Sequence, residues 1–230
     1  MGASWGMIAG YFQGTGMQTL DYADYQVLRQ GARVIEADGH GDKVLLLPNG
    51  NFLKLFRRKR VITSAALFPY ARRFASNTLA LRKRGIPCPQ ILGTYRVAEI
   101  ERDVVHYAPL PGQTLRQLIT GDVPPPRALL TQFARFVAQL HERGVYFRSL
   151  HLGNVVMTPQ NELGLIDIAD LRTYPWVLRK SLCLRNFQHM LRYEEDRQWL
   201  LQDGGVPFLE AYARHAPQKW SSEQLAQRLV

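Results

Sequence analysis

Residues 145–170, VYFRSLHLGNVVMTPQNELGLIDIAD, narrow the possible folds further than any other part of the chain. They follow a stretch, 127–143, in which apolar residues recur every three or four positions, which predicts an amphipathic helix that ends at Gly144. The segment itself predicts a polar loop and then two short strands, with a carboxylate, Asp167, at the end of the second strand. The sequence therefore predicts a polar loop and an acidic strand end within one compact motif.

The rest of the chain predicts strands first and helices later. A helix is predicted at 64–84, and the C-terminal stretch 176–230 has helical apolar spacing. Asn49-Gly50 is a strong hairpin signal between two of the predicted strands. This order predicts an α+β chain with two lobes. The strands predicted before the long helix are 32–36, 43–47, 51–56, 90–97 and 104–107.

Composition excludes several classes of protein. With 46% hydrophobic and 10% aromatic residues, the chain can bury a real core and is not a disordered tail. Only two cysteines, Cys88 and Cys183, are present, which argues against a disulfide scaffold and for a reducing compartment. No run of about 18 apolar residues exists, so no membrane-spanning helix is predicted.

Positive charge is distributed unevenly. The net charge is +10, and residues 43–98 contain no Asp or Glu. A long stretch with only positive charges favours an anionic partner such as nucleic acid, acidic lipid or a phosphorylated ligand. The alternative is a generally basic protein that its charge keeps soluble. For the basic run at 57–60, the two interpretations are an anion contact and a solvated loop.

Asn154 and Asp167 are the candidate metal ligands. Their side-chain oxygens lie on adjacent predicted loop ends, where they can converge on one divalent cation. Because Mg²⁺ needs only one or two carboxylates plus phosphate oxygens, this pair suffices for a metal–nucleotide complex. The alternatives are a turn residue for Asn154 and a capping or turn aspartate for Asp167.

Five short strings follow one another along the chain in a characteristic order: GIPCP, HYAPLPGQTL, LHERG, FRSLHLGN and LIDIAD. These strings and their order resemble the protein-kinase-like superfamily, in the bacterial branch of lipopolysaccharide-core sugar kinases and toluene tolerance proteins. The resemblance covers residues 33–196. It implies a bilobal kinase-like α+β fold with a small β-rich N-lobe (25–108) and a mostly helical C-lobe (109–230). Residues 1–24 are expected to form a mobile N-terminal extension, with Met17 as a candidate start.

The resemblance implies a role for each matching residue. Lys54 would contact the α- and β-phosphates of ATP; the alternative is a surface lysine on an edge strand. Asn77, the only amide side chain of the predicted helix, could hold that lysine by a hydrogen bond. Asn154 and Asp167 would hold Mg²⁺. Gly39 and Gly41 would lie in the loop that covers the phosphates. Tyr107 and Ala108 would lie against the adenine.

Two departures from the family pattern bear on activity. Ser149 stands where the family has the Asp that accepts the proton of the substrate hydroxyl, and serine is not a general base at neutral pH. His151 and Asp170 are the candidate replacements, although His151 also fits a structural histidine bonded to the loop. The predicted helix 64–84 contains no acid, whereas kinases place there a Glu that pairs with the strand lysine.

Two functions remain open at this point. The first is an ATP-dependent phosphotransferase that acts on a hydroxyl of a lipopolysaccharide-core sugar or a related phosphorylated envelope glycan. The second is a pseudokinase, a nucleotide-binding or scaffold protein that regulates an envelope enzyme. The expected location is cytoplasmic, with peripheral contact between the basic N-lobe and the anionic inner-membrane surface. Nucleic acid is not expected as a partner, because no reader motif is present.

Overall fold

The computed structural model describes residues 16–58, 69–122 and 125–229. The chain divides into two compact units, Met1–Ser76 with Pro89–Pro109 and Asn77–Cys88 with Leu110–Val230. The first unit is rich in β-structure and the second is mostly helical. The predicted α+β fold class, with strands first and helices later as the kinase-like resemblance implies, is confirmed.

A six-stranded sheet forms the first unit, in the order β1-β5-β6-β4-β3-β2. All neighbours are antiparallel except β1 and β5, which are parallel. Alternation along β4 sends Leu53 and Leu55 into a buried cluster that includes Leu45 and Val104. The strands are β1 (Gln18–Thr19), β2 (Arg33–Asp38), β3 (Gly41–Leu46), β4 (Phe52–Arg57), β5 (Gln90–Val97) and β6 (Arg102–Ala108).

Two elements of this unit, β1 and helix α1 (Tyr22–Leu28), were not predicted. Asp21 begins the helix by accepting a hydrogen bond from the backbone N–H of Asp24 at 2.8 Å. Tyr25 anchors it, since that side chain is 1% exposed within the sheet's buried cluster. Regular structure is therefore present from residue 18 to residue 28, partly inside the stretch expected to be an extension, while residues 1–15 lie outside the described part.

The second unit is built from helices and short strands. Helix α2 (Tyr70–Arg82) contributes residues to both units. The earlier part of the predicted helix and part of the basic run at 57–60 fall within residues 59–68, outside the described part. The helices are α3 (Leu115–Ile119), α4 (Arg127–Glu142), α5 (Lys180–Met190), α6 (Glu194–Leu200), α7 (Val206–His215) and α8 (Ser222–Leu229). The strands are β7 (Gln113–Thr114), β8 (Val145–Phe147), β9 (Val155–Met157), β10 (Leu163–Leu165) and β11 (Leu171–Thr173).

Helix α4 is the centre of this unit and follows the predicted periodicity. Leu130, Phe133, Val137 and Leu140 form its buried face, and Phe133 lies 6.0 Å from the ring of Phe208 on α7. The helix ends where Gly144 adopts a φ of +69°. A Cβ at this position would lie 2.3 Å from the carbonyl oxygen of Tyr174, so only glycine fits. The turn leads the chain directly into β8, which precedes the polar loop.

A buried polar network joins α4 to the end of β8. His141 Nδ1 lies 2.8 Å from the hydroxyl of Tyr212, and His141 Nε2 lies 3.3 Å from Asn186 Oδ1. The amide nitrogen of Asn186 donates to the carbonyl oxygen of Phe147 at 2.6 Å. These polar groups thus find hydrogen-bond partners within the core, and Phe147, the last residue of β8, is hydrogen-bonded to a side chain of helix α5.

Acid is expected to destabilise the protein through His141. Burial lowers the pKa of His141 to about 4, whereas an unfolded histidine binds a proton below about pH 6.5. The unfolded state therefore binds more protons between these values, and the free energy of unfolding should fall by roughly 3 kcal/mol as the pH drops through this window. Urea unfolding of wild type and His141→Gln at about pH 7 and pH 4 measures this difference.

The matched control for this prediction is His40→Gln, at an exposed turn. It should leave the pH dependence as in the wild type. Equal pH dependence of wild type and His141→Gln would show that this buried histidine does not control acid stability.

The structure bears on two of the expectations from composition. Both Cys88 and Cys183 are free thiols. In the described part of the chain, no helix has the length and apolar character that crossing a bilayer requires.

Candidate active site

Strand β4 places Lys54 on a face of the sheet that aromatic side chains cover. Lys54 shares this face with Phe52 and Phe56, and its Nζ lies 5.8 Å from the centre of the Phe56 ring. The strand lies between β3 and β6, so Lys54 is not on an edge strand. The edge-strand part of the surface-lysine alternative is therefore wrong, and the phosphate role stays a prediction.

Tyr107 lies on the same face as Lys54. It is the cross-strand partner of Phe52, and the two rings stack with centroids 5.7 Å apart. The Tyr107 ring also lies 5.3 Å from that of Phe74 on α2. Ala108 follows as the last residue of β6. The two residues predicted to face adenine thus end a strand whose aromatic face also carries the predicted phosphate-binding lysine.

Gly39 and Gly41 lie in the turn between β2 and β3. Gly41 has a φ of +106° and opens β3 opposite Asp38. The Asp38 carboxylate accepts a hydrogen bond from the backbone N–H of His40 at 2.8 Å, and Arg102 donates to the carbonyl oxygen of His40. A side chain of β6 therefore stabilises this short turn. Both glycines face open space, since no atom lies within 4 Å of a Cβ added at either position.

In the second unit, the structure brings Ser149 and Asp170 together. The hydroxyl of Ser149 donates to Asp170 Oδ2 at 2.7 Å. The other oxygen, Asp170 Oδ1, is buried and has no hydrogen-bond partner in the described residues. Burial raises the pKa of Asp170 above its usual range, with Asp167 adding to the rise, while the Ser149 hydrogen bond and Arg148 oppose it. A carboxylate with a raised pKa thus lies against Ser149, which stands at the position where the sequence resemblance implies an Asp.

Asn154 and His151 are bonded to each other inside the polar loop. The amide nitrogen of Asn154 donates to the carbonyl oxygen of Ser149 at 3.0 Å and lies 3.1 Å from His151 Nε2. Both amide hydrogens are therefore used, which leaves Asn154 Oδ1 as the atom able to bind a cation.

His151 has the environment of a structural residue. Its Nε2 accepts from Asn154, and its Nδ1 is buried without a partner among the described residues. Its ring meets that of Tyr193 edge to face, with centroids 5.0 Å apart. Burial lowers the pKa of His151, and Arg116 lowers it further. This arrangement fits the structural alternative for His151, and its role as a base stays a prediction.

Asp167 lies just after β10, next to the Asn154 segment. The backbone N–H of Ile166 donates to the carbonyl oxygen of Asn154 at 3.0 Å, so the backbone segments that carry the two predicted ligands are hydrogen-bonded to each other. Asp167 is exposed and has a left-handed backbone, with φ 51° and ψ 45°. Asp and Asn tolerate this conformation better than most residues do.

The donor set fits Mg²⁺ bound together with a nucleotide. One carboxylate and one amide oxygen are hard ligands, and Mg²⁺ takes the remaining positions from water and phosphate oxygens. In the parts of the chain that the structure describes, no cluster of three His, Cys, Asp or Glu could hold a metal by itself. The residues present therefore suit a metal that arrives with phosphate rather than a closed structural site.

Asn77 has a role other than the predicted contact with Lys54. Its amide nitrogen donates to the carbonyl oxygens of Ile168 at 2.7 Å and Leu171 at 2.9 Å. Both amide hydrogens are used on the segment that follows Asp167. The structure thus assigns Asn77 to fixing the backbone around Asp170.

Sequence reasoning missed the buried ion pair of Arg116 and Asp196. Arg116 Nε and a terminal nitrogen donate to the two carboxylate oxygens at 2.9 and 2.8 Å. The Asp196 side chain is 0% exposed and also accepts from the backbone N–H of Leu152 at 2.9 Å. The guanidinium carbon of Arg116 lies 4.4 Å from the centre of the Tyr193 ring. The pair therefore holds the polar loop, although no local pattern relates residues 80 positions apart.

Comparison with known proteins found structural similarity alone. No family model matches the chain, and no curated protein matches it. Three similar solved structures are of WbdD. They are a co-crystal structure with the kinase inhibitor LY294002 (TM-score 0.46, 16% identity), a structure of the bifunctional kinase-methyltransferase (0.47, 17%) and the structure of monomeric WbdD (0.46, 16%).

These matches cover 81%, 81% and 82% of this chain, respectively, and 48%, 41% and 43% of the WbdD chains. The chain thus spans less than half the length of the WbdD chains that it matches.

Proposed function

We propose that the chain is an ATP-dependent phosphotransferase that acts on a hydroxyl of a lipopolysaccharide-core sugar or a related envelope glycan. The observation that carries the proposal is the 2.7 Å hydrogen bond between Ser149 and Asp170. It supplies a carboxylate beside the one position where the sequence lacks the family's catalytic Asp. Asp170 is therefore the proton acceptor in this proposal, and Ser149 orients it.

The remaining residues would supply positioning and charge neutralisation, on which phosphoryl transfer chiefly depends. Lys54 would contact the α- and β-phosphates, and Asn154 with Asp167 would hold Mg²⁺. The metal neutralises negative charge on the phosphate oxygens when it is bound. Four residues would surround the rest of the nucleotide: Gly39, Gly41, Tyr107 and Ala108.

The acceptor class rests on the sequence resemblance and on charge. A net charge of +10 suits a phosphorylated glycan and an anionic membrane surface. The proposed place of action is accordingly the cytoplasmic face of the inner membrane, with peripheral contact.

A pseudokinase is the second candidate. The observation that favours it is that the Ser149 hydroxyl donates its hydrogen bond to Asp170 Oδ2. This carboxylate oxygen is therefore bonded to a residue of the protein rather than to a substrate. In this case the chain would bind nucleotide, or act as a scaffold, without transferring phosphate.

Mg-ATP is expected to stabilise the wild-type protein against thermal unfolding. At about 100 times the Kd, the gain is about 2.7 kcal/mol. Asp167→Asn should abolish the metal-dependent part, because an amide lacks the charge that holds Mg²⁺ although it tolerates the left-handed backbone. Thermal-shift titrations with ATP, with and without Mg²⁺, measure this.

Asp203→Asn is the matched control, since Asp203 is also exposed and also has a positive φ, of 54°. It should bind Mg-ATP as the wild type does. A wild type that Mg-ATP does not stabilise would contradict the enzyme proposal. Transfer of labelled γ-phosphate to purified core oligosaccharide then separates the kinase from the pseudokinase.

A further inference from the structure

A second acid-free stretch lies in the helical unit. Residues 171–193 contain five Arg or Lys and no Asp or Glu. Trp176 and Val177 lie within it and are 56% and 42% exposed. A large indole exposed within a cationic, acid-free stretch of sequence is unusual on a surface that meets only water. The cationic residues are Arg172, Arg179, Lys180, Arg185 and Arg192.

The backbone on both sides of Trp176 is fixed. The N–H of Tyr174 donates to the carbonyl oxygen of Gly144 at 2.8 Å, and the N–H of Leu178 donates to that of His141 at 2.9 Å. Arg84 donates to the carbonyl oxygen of Tyr174 at 3.1 Å. Leu178 is itself 1% exposed. The exposed indole is therefore presented by an anchored segment.

Cationic residues flank Trp176 on both sides in the sequence. Arg172, Arg179 and Lys180 are exposed and lie within four residues of Trp176, so their Cα atoms are at most about 15 Å away. No carboxylate of the described residues pairs with any of the three. Helix α5 begins at Lys180 with no side-chain cap and no acid in its first turn, and its N-terminal dipole adds positive potential.

A cleft of about 600 Å³ adjoins the segment at Lys180. Its lining includes Arg228 and the Trp220 ring, whose centre lies 5.3 Å from Lys180 Nζ, and it includes no acidic residue. The cleft offers room for a phosphate group next to Lys180.

We propose that this surface, the Trp176 surface (Arg172, Trp176, Val177, Arg179 and Lys180), docks on an anionic lipid bilayer. Indoles favour the membrane–water interface, and clustered Arg and Lys attract anionic headgroups. The inference deepens the proposed membrane location by naming the surface that makes contact, a surface of the helical unit rather than of the basic stretch at 43–98. It does not require phosphate transfer.

Vesicle flotation of the full chain tests the proposal, with phosphatidylcholine vesicles that contain or lack phosphatidylglycerol. The wild type should bind the anionic vesicles, and binding should weaken as salt is added. Arg179→Gln with Lys180→Gln should weaken binding roughly 30-fold, since each cation near an anionic surface contributes about fivefold. Trp176→Ser should weaken it on the order of tenfold by removing the apolar contact.

Arg197→Gln with Arg214→Gln is the charge-matched control, because both arginines are exposed elsewhere on the helical unit. This variant should bind as the wild type does. Quenching of tryptophan fluorescence by brominated lipid gives a second readout, which Trp176→Phe should reduce while vesicle binding persists.

Equal binding to neutral and anionic vesicles, or wild-type binding by the Trp176→Ser and Arg179→Gln/Lys180→Gln variants, would overturn the proposal. Binding to a nucleic-acid probe without binding to anionic vesicles would do the same. Mg-ATP stabilisation of the same variants should equal that of the wild type, so failure of membrane docking is distinguishable from failure of the proposed phosphotransferase.

Discussion

Asp170→Asn is expected to lower the rate of phosphate transfer by about 10²–10⁴-fold, the usual loss when a general base is removed. The amide keeps the size of the side chain and still accepts the Ser149 hydrogen bond, but it cannot take the proton of the acceptor hydroxyl. Mg-ATP should stabilise this variant as it does the wild type, because Asp170 is not a proposed metal ligand. Single-turnover transfer and thermal-shift titration measure the two properties separately.

The pH dependence of transfer tests the same assignment. Burial raises the pKa of Asp170, and a general base works only when deprotonated, so the rate should fall as the pH drops through this raised value. Ser149→Ala removes the hydrogen bond that lowers this pKa, and should move the acidic limb to higher pH. Full activity of Asp170→Asn, or an unmoved limb in Ser149→Ala, would rule out Asp170 as the base.

Arg116→Met is expected to destabilise the protein by about 3–5 kcal/mol, the usual cost of breaking a buried ion pair by removing one partner. Asp196 is fully buried, and without Arg116 its charge would keep only the backbone N–H of Leu152. Urea unfolding monitored by circular dichroism measures the loss as a lower midpoint.

The control for this prediction is Arg214→Met. Arg214 lies 4.0 Å from Glu210 in an exposed pair, so its loss should cost about 0–1 kcal/mol. Replacing both partners, Arg116→Met with Asp196→Leu, should recover part of the stability, because no unpaired buried charge remains. A cost for Arg116→Met no greater than that of the control would show that the buried pair does not stabilise the fold.

Local periodicity was sufficient to predict the larger elements. Helix α4 repeats apolar residues every three or four positions, and β4 alternates, so each pattern contains the information about which face is buried. Several of the unpredicted elements are short strands that exist only through a distant partner. Strand β1 has two residues and pairs with β5, and β11 has three residues and pairs with β8. Such short strands have too few residues to show a period.

The candidate site likewise combines features that local sequence predicts with contacts that depend on distant residues. The sequence predicted the polar loop and the proximity of Asn154 and Asp167, because the order of these motifs along the chain is itself the signal. It could not supply side-chain partners, which depend on packing between distant segments. Asn77 reaches Leu171 across 94 positions, and Arg116 reaches Asp196 across 80. The Ser149–Asp170 contact spans 21 positions, and it favours Asp170 over His151 as the candidate base.

The hydrogen bonds of the core network around His141 all run in one direction. Because the Asn186 amide nitrogen donates to Phe147, its oxygen must accept, so His141 carries its single proton on Nε2 and receives the Tyr212 hydroxyl at Nδ1. Each donor thus points from the helices towards the last residue of β8. One tautomer of a core histidine is thereby selected by the peptide carbonyl of Phe147, two residues before Ser149.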